Sequence, residues 1–143
     1  KIIAPLYEIS IDSKKDIIRF LTENKLGITD FIETASRKIV NNKLSSSDGD
    51  LAIHSYRNIK EIILTTEIKT IFTTSEFVTQ NINDMIDTED IEFITLPSPS
   101  KSGSRQIGRN AEYKLLFKKK LVSNTIDYRI LKYNELFKNK IVY

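Results

Sequence analysis

Hydrophobic positions along the chain alternate between two spacings, and each change of spacing marks a new element. Ile17, Ile18 and Leu21 recur at helical intervals behind Ser13-Lys14-Lys15-Asp16. An acceptor side chain followed three residues later by a carboxylate is the pattern of a capping box. Gly27 suits the left-handed position beyond that helix. Thr29 and Asp30 precede Phe31-Ile32, and Ala35 and Ile39 continue in helical phase. This predicts a second short helix, capped by Thr29 or Asp30. The stretch 41–49 is polar and turn-rich, with Ser45, Ser46, Ser47 and Asp48 as candidate caps for a turn around Leu51. Asn58 is placed to cap a helix bearing Ile59, Ile62 and Ile63.

The spacing then shortens. Ile68-Lys69-Thr70-Ile71-Phe72-Thr73 is a β-branched run suited to a strand. Ser75 can cap the helix that follows, carrying Phe77, Val78 and Ile82, and acidic residues from Asp84 to Asp90 form a connection. A second strand over 91–96 must stop at Pro97-Ser98-Pro99-Ser100, because proline has no N–H to give to a ladder. A loop of small and basic residues is predicted to run on to about Arg109, with helices near 110–121 and 126–137.

Strand, helix, strand with a connection of this length makes a parallel pair. Helices before and after it predict an α/β fold, a three-layer α/β/α sandwich around a central, mostly parallel sheet, with residues 1–143 as one domain. Residues 6–11 are a candidate third strand. The opening Lys1-Ile2-Ile3-Ala4-Pro5 has no cap or turn ahead of it and reads as the middle of something longer.

Composition narrows the function classes. With 40% hydrophobic and 29% charged residues, the chain resembles ordinary globular proteins. It has no cysteine and one histidine, His54, which is expected to be structural. Asp48 and Asp50 are too poor a set to hold a metal without partners, so neither metal nor cofactor is expected. No apolar run approaches the roughly 18 residues that span a bilayer, and no charged-then-apolar pattern of the secretory kind leads the reading toward export. A cytoplasmic, membrane-free monomer is the expectation.

The net charge of +3 is unevenly spread. Residues 1–100 carry 11 Lys and Arg against 16 Asp and Glu, whereas residues 101–143 carry 11 against 3. A basic third on an acidic body suggests an anionic partner, most commonly nucleic acid. The alternative is that Lys118, Lys119 and Lys120 are only a solvated helix face.

In open parallel sheets, ligands bind beyond the carboxyl ends of the strands. Those ends are Thr73-Thr74-Ser75 and Leu96-Pro97-Ser98-Pro99-Ser100. Ser98, Pro99, Ser100, Lys101, Ser102, Arg105 and Arg109 together offer a stiff run of small residues, hydroxyls and positive charge, suited to phosphates. A plain surface loop would have a similar composition. Thr74 and Ser75 could bind a ligand or merely end a strand and cap a helix. Asp30 is either a cap or an acid. There is no Walker loop, dinucleotide fingerprint or nucleophile elbow.

Several of these segments, in order, resemble the uracil-DNA glycosylase superfamily, nearest its mismatch-specific and hypoxanthine-type branches. They are Leu26-Gly27-Ile28-Thr29-Asp30-Phe31-Ile32 with Ala35 and Arg37, Ser46-Ser47-Asp48-Gly49-Asp50-Leu51, the run from Ile68 to Ser75, Leu96-Pro97-Ser98-Pro99-Ser100, and Tyr128-Arg129-Ile130-Leu131-Lys132-Tyr133. The resemblance covers about Leu21 to Phe137, and its most specific part is Leu-Pro-Ser-Pro-Ser at a strand end. It implies a metal-free enzyme that binds DNA, extrudes a damaged base and hydrolyses its N-glycosidic bond. By the same resemblance, Asp30, Thr74 and Ser75 would lie at the base pocket, and the stretch from Ser98 to Arg109 would grip DNA. Two features depart from the superfamily. Nothing before Leu21 matches the first signature, which supplies the Asp or Asn that activates water, so the catalytic residue is expected upstream of Lys1. The Pro-Ser loop also lacks the histidine that many members carry there. A non-catalytic DNA-binding relative is the alternative.

Overall fold

Ser13 caps the first long helix as its sequence predicts: its hydroxyl oxygen accepts the Asp16 N–H at 3.3 Å, and Asp16 accepts the Ser13 N–H at 2.9 Å. In the computed structural model, which describes residues 2–45, 50–86, 90–101 and 103–141, the chain is mixed α and β. The elements are α1 (Ile3–Tyr7), α2 (Lys14–Glu23), β1 (Ile32–Arg37), β2 (Ile39–Val40), β3 (Lys43–Leu44), β4 (Leu51–Tyr56), α3 (Ile59–Leu64), β5 (Thr70–Thr73), α4 (Glu76–Met85), β6 (Glu92–Thr95), α5 (Gly103–Arg109), α6 (Ala111–Lys118) and α7 (Thr125–Leu136), with a 3-10 turn at Lys138–Lys140. They fall into two compact units, residues 1–26 with 68–143, and residues 27–67. No helix among the described residues is long and apolar enough to cross a membrane.

The larger unit is built on the parallel pair β5 and β6, in register from Thr70 opposite Glu92 to Thr73 opposite Thr95. This is the βαβ arrangement expected from the sequence, with α4 as the crossover. Its main core joins Ile2 and Leu6 of the first helical turn region to Leu96, Tyr133 and Phe137. That packing explains why residues 6–11 do not form a strand: Ile2 and Leu6, four apart, share the buried face of α1, and the helix ends where Glu8 turns left-handed at φ 54°. Pro5 sits in the first turn, where its missing N–H breaks no helical bond. A second cluster ties Ile107 of α5 to Val122 and to Tyr128 of α7.

Other expectations shift by local geometry. Beyond α2, Lys25, not Gly27, takes the left-handed conformation, at φ 52°. In α2 itself the buried residue is Phe20, edge-on to Tyr7, while Ile17 and Ile18 face solvent. The predicted loop from Ser100 to Arg109 contains helix α5, because Ile107 buries one side of it.

The smaller unit overturns the predicted helix after Thr29. Residues 32–37 are a strand, pairing antiparallel with β4 from Ile32 opposite Tyr56 to Arg37 opposite Leu51. Leu51 therefore opens a strand and not a turn. The ribbon continues through β2 and β3 and reverses at Asn41-Asn42, both at positive φ (52° and 59°). Two such residues match the type I′ turn, whose twist suits paired strands. The helical phase of Ala35 and Ile39 was overridden by this turn and by β-branched Ile32, Thr34, Ile39 and Val40. Asn58 caps α3 through the Glu61 N–H at 3.2 Å, as expected. Ser46, Ser47, Asp48, Gly49, the acidic residues Asp87 and Glu89, and Ser102 lie outside the described residues.

Candidate nucleic-acid interface

Leu96, the residue after β6, is buried in the core, and its N–H donates to the Thr73 carbonyl at 2.7 Å, so the Pro-Ser-Pro-Ser turn leaves from a fixed point. The turn is then stitched to itself. The Ser98 and Ser100 hydroxyls bond at 2.9 Å, the Ser100 N–H reaches the Ser98 hydroxyl at 3.3 Å, and the Gly103 N–H reaches the Ser100 hydroxyl at 3.1 Å.

The main brace comes from α7. Arg129 is only 4% exposed. Its Nε donates to the Ser98 carbonyl at 2.8 Å, and Nη2 donates to the Ser100 carbonyl at 2.8 Å and to the Ser104 hydroxyl at 3.0 Å. Nη1 lies 3.5 Å from the Thr125 hydroxyl. A buried charge is costly unless hydrogen-bonded, and here carbonyl and hydroxyl oxygens meet that need. Among the described residues no carboxylate forms an ion pair with it. The turn thus lies against a positive charge.

Lys101, Arg105 and Arg109 follow, all exposed. Arg105 and Arg109, four residues apart on α5, share one helical face. The sequence predicts a loop for Arg105 and Arg109, and the structure puts both on a helix. Ser98 is half-buried, and Pro99 and Ser100 are exposed, whereas Ser102, also predicted to belong to this site, lies outside the described residues.

At the neighbouring strand end the polar centre is a threonine cluster. The Thr79 hydroxyl of α4 bonds those of Thr73 and Thr95, the latter at 2.7 Å, and reaches the Ser75 carbonyl at 3.1 Å. Thr74 is exposed and Ser75 half-buried at the start of α4. Ser75 occupies the capping position without a side-chain cap hydrogen bond. Asp30 belongs to the smaller unit, exposed just ahead of β1, so it does not cap a helix. His54 lies on β4 and bonds the Ser36 hydroxyl at 2.8 Å. Among the described residues no group of three His, Cys, Asp or Glu could hold a metal. A groove of about 410 Å³, lined by Pro5, Leu6, Asp127, Ile130, Leu131 and Asn134, includes none of the predicted site residues.

Arg129 and Thr79 were not singled out from the sequence for any role. The available signal for Arg129 was a charge inside the apolar run Tyr128-Arg129-Ile130-Leu131, and for Thr79 a hydroxyl one helical turn after Ser75. No family model matches the chain, and no curated protein or solved structure matches it either.

Proposed function

We propose that the chain acts in DNA repair as a DNA glycosylase for a deaminated or mismatched base of the uracil or hypoxanthine type. The base would be flipped from the duplex and its glycosidic bond attacked by water without a metal. On this reading β5, α4 and β6 belong to a three-layer α/β/α sandwich of the uracil-DNA glycosylase kind, and the protein works on DNA as a monomer. The observation that carries the proposal is the Pro97–Ser100 turn at the carboxyl end of a parallel strand, backed by Arg129 and followed by Lys101, Arg105 and Arg109. Flipping a base costs a few kcal/mol of unstacking, least at a mispair. A stiff turn held against the backbone can offset that cost. Thr74 and Ser75, at the adjacent strand end, would face the flipped base.

A specific observation favours the second reading, a DNA-binding relative without catalysis. Asp30, the one carboxylate assigned to the pocket, is exposed. The deciding experiment incubates the full-length protein with duplexes containing uracil, hypoxanthine or a T·G mismatch, and measures abasic sites. Product from any of them supports the glycosylase. Salt-sensitive binding without product moves the assignment to the non-catalytic relative. Absence of binding overturns both.

A further inference from the structure

The end of the β-ribbon carries apolar side chains that its own unit does not bury. Ile39 and Leu44 stand opposite each other in the β2–β3 pair and are each 68% exposed. Val40, opposite Lys43 in the next pair, is 43% exposed. Successive pairs point to opposite faces, so both faces of the ribbon hold aliphatic surface in water. The residues this unit does bury, Phe31, Ile59 and Ile63 among them, belong to other elements. Residues 37–44 also include Arg37, Lys38 and Lys43 and no Asp or Glu. Arg37 donates to the Ser45 carbonyl at 3.1 Å, at the ribbon's base. Lys38 and Lys43 are exposed, and among the described residues no carboxylate forms an ion pair with either. The backbone that carries them is fixed. The Ser45 N–H donates to the Lys38 carbonyl at 2.9 Å, and the Lys38 N–H donates to the Asp50 carbonyl at 3.0 Å.

Resting on the DNA reading, we propose that this ribbon is a further DNA contact, made by the smaller unit, and that its end enters the major groove of the duplex. That groove, about 12 Å wide, admits a two-stranded ribbon whose strands lie about 4.8 Å apart. Lys38 and Lys43 meet phosphates at the groove edges. Ile39, Val40 and Leu44 meet its walls, where thymine methyls offer apolar contact. A membrane surface fits less well, because an interfacial segment buries one apolar face and keeps its charges on the other. Here Val40 and Lys43 share a face. A second copy of the chain, docked through the same patch, would set two cationic ends against each other.

The test titrates the full-length protein against a fluorescent duplex with one U·G pair at several salt concentrations. The double variant Lys38→Gln with Lys43→Gln is expected to lose about tenfold or more in affinity near 0.1 M salt, and its slope of log affinity against log salt to become shallower by about two. The double variant Ile39→Thr with Leu44→Thr keeps strand-forming residues and removes no charge, so it is expected to lose affinity severalfold with an unchanged slope. Lys14→Gln with Lys15→Gln, which takes the same charge from exposed positions on α2, is the control and is expected to change both much less. An equal loss in that control overturns the proposal, because net charge alone then explains the effect. Wild-type affinity and slope in the Lys38 and Lys43 variant overturn it as well, and so does wild-type affinity in the Ile39 and Leu44 variant. If hydrogen exchange at the Ser45 N–H shows that the threonine variant has lost the ribbon, the lysine pair and its control decide. In each of these cases DNA binding by the wild type stands. A wild type that binds no duplex removes the DNA reading itself and this proposal with it.

Discussion

Tyr128 donates its phenolic proton to Glu112 at 2.9 Å, joining α7 to α6, and Lys132 donates to the other oxygen of the same carboxylate at 2.8 Å. Burial, and then the Glu112 hydrogen bond, push the Tyr128 phenol up to about 12. For Lys132, burial opposes the charge, but hydrogen bonds to Glu112 and Glu135 outweigh it and raise its pKa. Both groups hold their protons more tightly when folded. Their contribution is therefore complete below the unfolded values and is lost as pH rises through the folded ones. Stability should fall between pH 10 and about 12 through Tyr128. Tyr128→Phe should cost about 1.5–3 kcal/mol at neutral pH, as for a hydrogen bond to a charged group. It should also lose less than the wild type on going alkaline. Urea titrations at pH 9, 10 and 11 check this, and parallel pH curves would count against it.

The threonine cluster makes a second prediction. With its single proton donated to the Ser75 carbonyl, the Thr79 hydroxyl accepts from Thr73 and Thr95. Thr79→Val leaves the buried Thr73 hydroxyl with only a 3.5 Å contact to Thr95. An unsatisfied buried hydroxyl costs about 1–3 kcal/mol. Thr79→Ser keeps the oxygen and should cost less. Chemical denaturation of both variants decides, and a Val variant as stable as the wild type removes the cluster from the list of stabilising features.

What the sequence made legible was local. The Ser13–Asp16 box, the Asn58 cap and the β5–α4–β6 crossover each lie within a short window, where propensity and spacing act directly. Residues 32–37 carry helical spacing but form a strand, because their strand character depends on residues 51–56, which no local pattern announces. The site divided in the same way. Ser98, Arg105 and Arg109 were visible as a composition next to a strand end, but Arg129 meets Ser98 across 31 residues of chain. Its role follows from helix packing, which the order of residues does not display.

The β-ribbon offers a test confined to the smaller unit. Asn42 sits at φ 59° in the two-residue turn, a conformation that glycine adopts without a Cβ penalty. Asn42→Gly should stabilise the ribbon by a few tenths of a kcal/mol and Asn42→Val should destabilise it by about 1–2 kcal/mol. The local readout is hydrogen exchange at the Ser45 N–H, which bonds the Lys38 carbonyl at 2.9 Å. Glycine should slow that exchange and valine should speed it. The opposite order would mean that the turn is not what sets the register.

The last prediction separates gripping from positioning along the turn and α5. Arg105 is exposed, so its replacement by alanine should leave stability within about 0.5 kcal/mol, the usual range for surface sites. If it holds a phosphate, Arg105→Ala weakens DNA binding across all sequences and lowers the salt slope by about one. Ser98 is different: half-buried, it bonds the Ser100 hydroxyl and receives the Ser100 N–H. Ser98→Ala should therefore loosen the turn and impair flipping or base removal more than overall affinity. Binding and single-turnover cleavage, measured on the same U·G duplex, distinguish the two. Unchanged affinity in Arg105→Ala would remove α5 from the interface, and equal losses of binding and cleavage in Ser98→Ala would make Ser98 one more backbone contact.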